Sequence, residues 1–367
     1  MATESMPRTD GPAWMSWLGV TAILLGILFT ASEGNEWMRQ VIVDNATPAN
    51  LELPAADCRA DELEEEGLSF AECEQMVEAI RSYVVSRPVW FAGVQAWLAA
   101  IGTLLALVSV VCGAALANFR ISAARIGAGI FALLAVIDAA HFVAAQQAGP
   151  ILRAIHLPMA LQWFVIHLAL AIAFFVAQRQ QLPQMTVDSA PAIYGRFEVV
   201  AHWFLAVSVF FLFVSSWWML SLPLPSDEFR YREFPFQLHK NIGITIVLLM
   251  IAMALIRLTR RQALPAPAET RGMSQLRLGG HVALYLLVFA VCVTGYMSSS
   301  YSGWGTTWWW LIDLPAWGYE DDDLNQLYSD LHIWTCWALL IAMAAHIGAA
   351  LLHAVRNDGI LRRILRW

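Results

Sequence analysis

The sequence predicts an all-α integral membrane protein with eight spanning helices, and three observations predict it. The chain is 59% hydrophobic and 14% charged, where a soluble domain carries roughly 25% charged residues. Apolar runs long enough to cross a bilayer core of about 30 Å lie at about 13–31, 88–117, 124–147, 157–178, 198–222, 239–259, 279–301 and 330–355. The 17 Trp and 8 Tyr gather near the ends of these runs, as an aromatic belt at a membrane interface requires. The net charge of −7 is an average over loops of opposite sign. The partner this composition implies is the lipid bilayer, and no nucleic-acid partner is expected.

The first run is followed by small residues at Ala31 and Ser32 and so resembles a signal peptide. Its weakly charged leading segment favours a retained helix. A long loop follows, about 32–87, with an acidic stretch Asp57–Glu78. The run Asp61–Glu66 within it reads as a solvated helical face. Cys58 and Cys73 share this loop, and in an oxidising compartment they are expected to pair. Closing a loop of about 15 residues contributes roughly 3 kcal/mol in the chain-entropy model. Cys112, Cys292 and Cys336 fall inside spans and read as small apolar packers. No CxxC motif occurs, which disfavours a thioredoxin-like site or a covalently attached haem.

In the third span Asp138 and His141 are three residues apart and share a face. His156 and His167 lie about 20° off a common face of the fourth. Carboxylates and imidazoles inside a membrane suit a proton relay, a third cofactor or hydrogen bonds between helices. Gln178–Gly195 is polar and holds Pro183 and Pro191, so the chain divides there: an N-terminal four-helix module (1–178), a cytoplasmic linker (179–195) and a C-terminal four-helix domain (196–367). The stretch 223–238, with Pro223, Pro225 and Pro235, reads as irregular. The stretch 301–329, with Trp304, Trp308, Trp309, Trp310 and Trp317, reads as a short helix on the membrane surface.

Lys and Arg set the orientation. Arg120, Arg125, Arg179, Arg196, Arg257, Arg260, Arg261, Arg271, Arg277, Arg356, Arg362, Arg363 and Arg366 fall on one side, the cytoplasm, which then holds both termini. Asp57–Glu78 and Glu320–Asp323 fall on the other. Arg153, Arg230 and Arg232 are exceptions.

The chemistry concentrates in the C-terminal half. His332 and His346 are fourteen residues apart on one run, roughly 21 Å of helix and within about 40° of one face. That places one imidazole near each membrane surface. His202 sits near the cytoplasmic end of its run and His239 opens the next at the outer side. Depth therefore pairs His202 with His346 inside and His239 with His332 outside. Ligation of two b-type haems by paired imidazoles is the simplest chemistry that fits. A haem with both axial positions filled transfers electrons and does not bind oxygen.

The stretches RFEVVAHWF around His202, FQLHKNIGI around His239, GGHVALYLL around His281 and LHIWTCWALLIAMAAHIGAALLHAVRNDGILRRI from Leu331 resemble the bacterial cytochrome b561 family over residues 196–366. That family includes superoxide oxidase, and the haem subunits of hydrogenases and formate dehydrogenases are related to it. The resemblance implies that His202/His346 hold a cytoplasmic-side haem b and His239/His332 a periplasmic-side haem b. It also implies that His353, seven residues past His346, lies near a quinone site. A histidine there can exchange a proton as ubiquinone or menaquinone is reduced. Arg196, Arg257, Arg230 and Arg232 are candidates to pair with haem propionates, and His281 either touches a propionate or caps its helix. Residues 1–178 resemble no family.

The expected function is a dihaem cytochrome b of the bacterial inner membrane, moving electrons between a periplasmic partner and the quinone pool. Superoxide oxidase activity is the alternative enzyme. Acidic outer loops instead suit a basic partner such as a c-type cytochrome. A membrane anchor for a larger respiratory complex is the non-enzymatic alternative.

Overall fold

The computed structural model describes residues 12–47, 55–180, 195–224, 230–259, 271–356 and 365. Residues 181–194 of the linker, Pro225, Arg260, Arg261, Arg362, Arg363 and Arg366 lie outside the described residues. Ten helices are described: α1 (Ala13–Ala46), α2 (Ala60–Glu66), α3 (Phe70–Ser86), α4 (Val89–Ala117), α5 (Ser122–Gln147), α6 (Pro150–Gln178), α7 (Arg196–Met219), α8 (Glu233–Thr259), α9 (Arg271–Tyr301) and α10 (Asp322–Arg356). All but α2 and α3 are long and apolar enough to span a membrane. The protein is a helical, multi-pass membrane protein.

Two expectations are corrected. The first helix does not stop near residue 31; it continues unbroken to Ala46. Its polar second half is stabilised by partners on other helices, which compensate for its low hydropathy. The stretch 301–329 forms no surface helix before α10. It forms a hairpin of β1 (Thr306–Trp308) and β2 (Ile312–Leu314), with Trp308 opposite Ile312. Trp309 and Trp310 turn the chain with φ of 49° and 56°, a left-handed pair that no α-helix accommodates. The Thr307 hydroxyl donates to the Asp313 carboxylate at 2.7 Å across the strands.

The described chain forms two compact units. The first comprises Trp14–Val187 with Ala206–Phe236. At its centre α1 runs against α4 along a seam with a seven-residue step: Gly19, Gly26, Glu33 and Gln40. A Cβ added at Gly19 would lie 2.5 Å from the Gly113 carbonyl oxygen, and one at Gly26 would lie 2.7 Å from Ser109 Oγ. Without hydrophobic drive between helices in lipid, such close backbone approach supplies the packing. Around it Met15, Leu18, Ala22, Phe29, Phe131, Leu134 and Phe174 form a buried apolar cluster. Gly19→Ala should therefore destabilise this unit by about 1–3 kcal/mol, the range for overpacking, read as a lowered melting temperature in detergent.

Above the seam stand α2 and α3, tied by the Cys58–Cys73 disulfide with Cα atoms 5.9 Å apart. Ser69 and Glu72 start α3 as a reciprocal capping box, so the Ser69 bonds hold the Glu72 carboxyl below its usual range. Gly67, with φ 64°, closes α2. The segment after α7 returns to this end. Arg232 is only 2% exposed, and its Nη1 donates to Glu66 Oε1 at 2.7 Å while its Nε donates to the Leu222 carbonyl at 3.0 Å. Glu66, read from sequence as part of a solvated face, is thus the partner of a buried cation.

The second unit comprises Asp188–Leu205 and Gln237–Trp367, with Met1–Ala13. Small polar residues join α9 to α10: Ser298 meets Ser329 at 2.8 Å, and Thr294 meets Thr335 at 3.4 Å. The hairpin is pinned to α8, where Thr245 Oγ1 accepts from Trp309 Nε1 at 3.0 Å and the Lys240 ammonium donates to the Trp304 carbonyl at 3.2 Å.

Candidate haem-binding site

The histidines of the second unit form two clusters. His202 on α7 and His346 on α10 have ring centres 6.4 Å apart. His239 on α8 and His332 on α10 have ring centres 6.3 Å apart. Two imidazoles bonded to opposite sides of one metal atom, at about 2.0 Å per nitrogen, place their ring centres about 6 Å apart. Both pairs fit that spacing. They fit it at two levels of one helix, since His332 and His346 both belong to α10.

The tautomer of His332 follows from its neighbours. Its Nδ1 lies 2.9 Å from the Val291 carbonyl, which can only accept, so Nδ1 carries the proton. The lone pair on Nε2 is left for a ligand, with the Cys336 thiol 3.7 Å away. A ligating histidine whose other nitrogen donates to a backbone carbonyl is held in orientation by that bond. Gly295 makes room for this ring: a Cβ there would stand 2.9 Å from His332 Cε1. Cys292 donates weakly to the Gly243 carbonyl at 3.5 Å, which brings α9 against α8 at a glycine.

His281 occupies a place that sequence spacing did not disclose. Its ring centre is 5.4 Å from that of His346, nearer than His202. That separation is too short for two rings facing each other across a shared metal. Its Nδ1 donates to the Arg277 carbonyl one turn earlier at 2.8 Å, so its Nε2 is the free edge. His353 is half-buried on α10, one turn before the helix ends at Arg356. Arg196 and Arg257 are exposed at the ends of α7 and α8. Arg230 pairs with Glu233 at 2.6 Å and Arg232 with Glu66, so these two arginines are engaged by carboxylates of the chain itself.

The polar residues of the N-terminal helices are also brought together, in pairs other than those one helix face suggests. Asp138 bonds His167, not its own-helix neighbour His141, with Oδ2 2.7 Å from Nδ1. His141 instead meets the Gln95 amide oxygen and Glu33, whose Oε2 is 3.2 Å from Nε2. The signal that could have found Glu33 is the seven-residue step along α1. Among the described residues no group of three or more His, Cys, Asp or Glu could hold a metal ion.

Comparison with known proteins places half of this architecture. Residues 193–367 match the family model for prokaryotic cytochrome b561. The chain is also 29% identical over 182 residues to "Cytochrome b561 homolog 2" of Escherichia coli (strain K12), covering 49% of this chain and 95% of that protein. No solved structure matches, and the N-terminal half is unmatched by the family model. Residues 193–367 are therefore similar to the prokaryotic cytochrome b561 family, whose members are membrane b-type cytochromes.

Proposed function

We propose that the chain binds two haems b, one between His202 and His346 and one between His239 and His332, and passes electrons between a periplasmic redox partner and the quinone pool. The observation that carries this reading is the pair of ring separations, 6.4 and 6.3 Å, at two depths of α10. When bound, haem b supplies one-electron chemistry at each level. The protein's own part is to fix the imidazoles. The Val291 carbonyl orients His332, and Gly295 lets α9 approach it. On this reading Arg196, Arg257 and His281 face propionates of the His202/His346 haem. His353 then exchanges a proton with ubiquinone or menaquinone at the cytoplasmic end of α10.

The orientation follows the Lys and Arg bias: both termini lie in the cytoplasm, and the disulfide-bonded helices lie outside, where disulfides persist. The membrane is then the bacterial inner membrane. Glu320, Asp321, Asp322 and Asp323 are all exposed. Arg230 and Arg232 are paired with carboxylates, and the Lys240 ammonium with backbone carbonyls. This outer surface attracts a cation, so it favours a basic protein such as a c-type cytochrome over superoxide.

A pyridine haemochrome assay of the purified protein should give two haems b per chain, and the reduced-minus-oxidised spectrum should show b-type bands. Colourless protein produced with haem supplied would refute the reading. Stopped-flow reduction should be faster with a basic c-type cytochrome than with superoxide; the reverse order would make superoxide oxidase the function. Haem binding without turnover by either donor would leave the membrane-anchor role.

A further inference from the structure

The N-terminal unit buries an unusual string of ionisable groups in its spanning helices, independent of the histidine pairs that define the haem reading. Three stations follow one another along α1. At the α3 end, Gln40 Nε2 donates to the Tyr83 hydroxyl at 2.7 Å and to Glu36 Oε1 at 2.8 Å. The Glu36 carboxylate also pairs with Arg39 at 2.9 Å. Arg39 Nη2 donates to His156 Nε2 at 3.1 Å, which fixes that nitrogen as an acceptor. Burial pushes the Tyr83 phenol above its ordinary value, so it stays a neutral hydroxyl.

One turn further in, Glu33 and His141 face each other beside Gln95, at 7%, 7% and 0% exposure. Gly102 makes room for this carboxylate, since a Cβ there would lie 3.0 Å from Glu33 Oε2. Glu33 Oε2, His141 Nε2 and Gln95 Nε2 are buried without a well-aligned hydrogen bond. Asp138 and His167, each 1% exposed, form the last station. Asp138 is nine residues, about 14 Å, from the end of α5 at Gln147, and His167 is eleven residues, about 16 Å, from the end of α6 at Gln178. Both are near mid-membrane.

Charge decides what these stations hold. The groups that face one another across α1, α4, α5 and α6 are Glu33, Glu36, Arg39, Asp138, His141, His156 and His167. Arg39 balances Glu36. Among the described residues Glu33 faces the His141 imidazole and Asp138 those of His167 and His141, with no Lys or Arg beside them. A buried carboxylate with no compensating cation is strongly unfavourable, so each pair must hold one proton.

The path is closed beyond Asp138. The His167 ring is packed by Phe29, Trp163 and Phe131, with ring centres 4.4, 5.6 and 6.2 Å away. The seam then turns to glycine, where Gly19 meets the Gly113 backbone. The Phe174 ring lies directly against Gly127, in the place a Cβ there would take.

We propose that the N-terminal unit is a one-sided proton well: it binds two protons inside the membrane, one shared by Asp138 and His167 and one by Glu33 and His141, and exchanges them through Glu36 and His156, which Gln40, Tyr83 and Arg39 hold in place, with the face that carries α2 and α3. Glu33/His141 first gives its proton to the α3 side; the Asp138/His167 proton then moves into the vacated Glu33/His141 site, one turn along α5 from Asp138 to His141, and both places refill by the reverse path. No other co-reactant is needed.

The test is histidine nitrogen NMR with carboxyl infrared spectroscopy on the whole protein in liposomes at neutral pH. Each pair should show one proton, as an imidazolium or as a protonated carboxyl. Asp138→Asn should erase the signal of its own pair and keep that of Glu33/His141, and Glu33→Gln the converse. Neutral imidazoles together with ionised carboxylates in the native protein would overturn the proposal, and that measurement needs no variant to fold. Vesicles loaded with a pH-sensitive dye should lose a pH gradient no faster with the protein than without it. A leak that Asp138→Asn abolishes would mean a through-path and would equally overturn the one-sided well.

Discussion

The variant His332→Ala should keep one haem b per chain and lose the other, and His239→Ala should lose the same one. The two side chains come from different helices but place their rings 6.3 Å apart, so neither alone supplies both axial bonds. A haem with one axial site emptied is no longer held on both faces, and its low-spin character goes with the second bond. The other pair, His202 and His346, is untouched, with His346 about four turns along α10 from His332. The measurement is haem per chain together with a redox titration: two components in the native protein and a single component in each variant. If His332→Ala and His239→Ala removed different components, the pairing by depth would be wrong. His281→Ala gives a useful contrast. Its ring is nearer to His346 than His202 is, but the spacing does not suit a shared metal. Haem content should persist, with a shifted potential for the His202/His346 component.

The second large effect is on stability. Glu66→Gln should destabilise the N-terminal unit by about 3 kcal/mol, the lower end of the range for stranding a buried charge. Arg232 is buried, while the Glu66 side chain keeps 33% of its exposure, so water offsets part of the loss. Arg232→Met should cost less, because it removes the charge with its partner's need for it and leaves a carboxylate that solvent can reach. The two variants, compared by thermal unfolding in detergent, should rank in that order. Removing the Cys58–Cys73 crosslink by Cys73→Ser should act on the same end of the molecule.

The eight spans were legible because twenty or so apolar residues in a row leave no other structure in lipid. The end of α1 was not, since Glu33, Glu36, Arg39, Gln40 and Asp44 read as a loop when each is considered without its partner. Those partners, His141, His156, Tyr83 and Arg87, lie 43 residues or more away along the chain. The hairpin was hidden for a different reason: three-residue strands carry no period, and consecutive Trp residues resemble an interfacial helix. Depth along apolar runs was enough to suggest His202 with His346 and His239 with His332, whose rings do approach. It said nothing about rotation around each axis, which is why the nearness of His281 to His346 went unseen. Spacing on one helix likewise reports a shared face and not the partner across it, so Asp138 was set beside His141 when its bond is to His167.

Arg232 reaches a carboxylate 166 positions earlier in the chain, and the adjacent Tyr231 hydroxyl lies 3.2 Å from that of Thr47. The ribosome therefore releases the last piece of the N-terminal unit only after α7 has been made. Until then Glu66 at the end of α2 waits without its buried cation, and a chain cut after residue 178 would never receive it. The first compact unit is not continuous in sequence: Ala206–Phe236, from the C-terminal half of the chain, completes it, so that unit can finish folding only after most of α7 has been made.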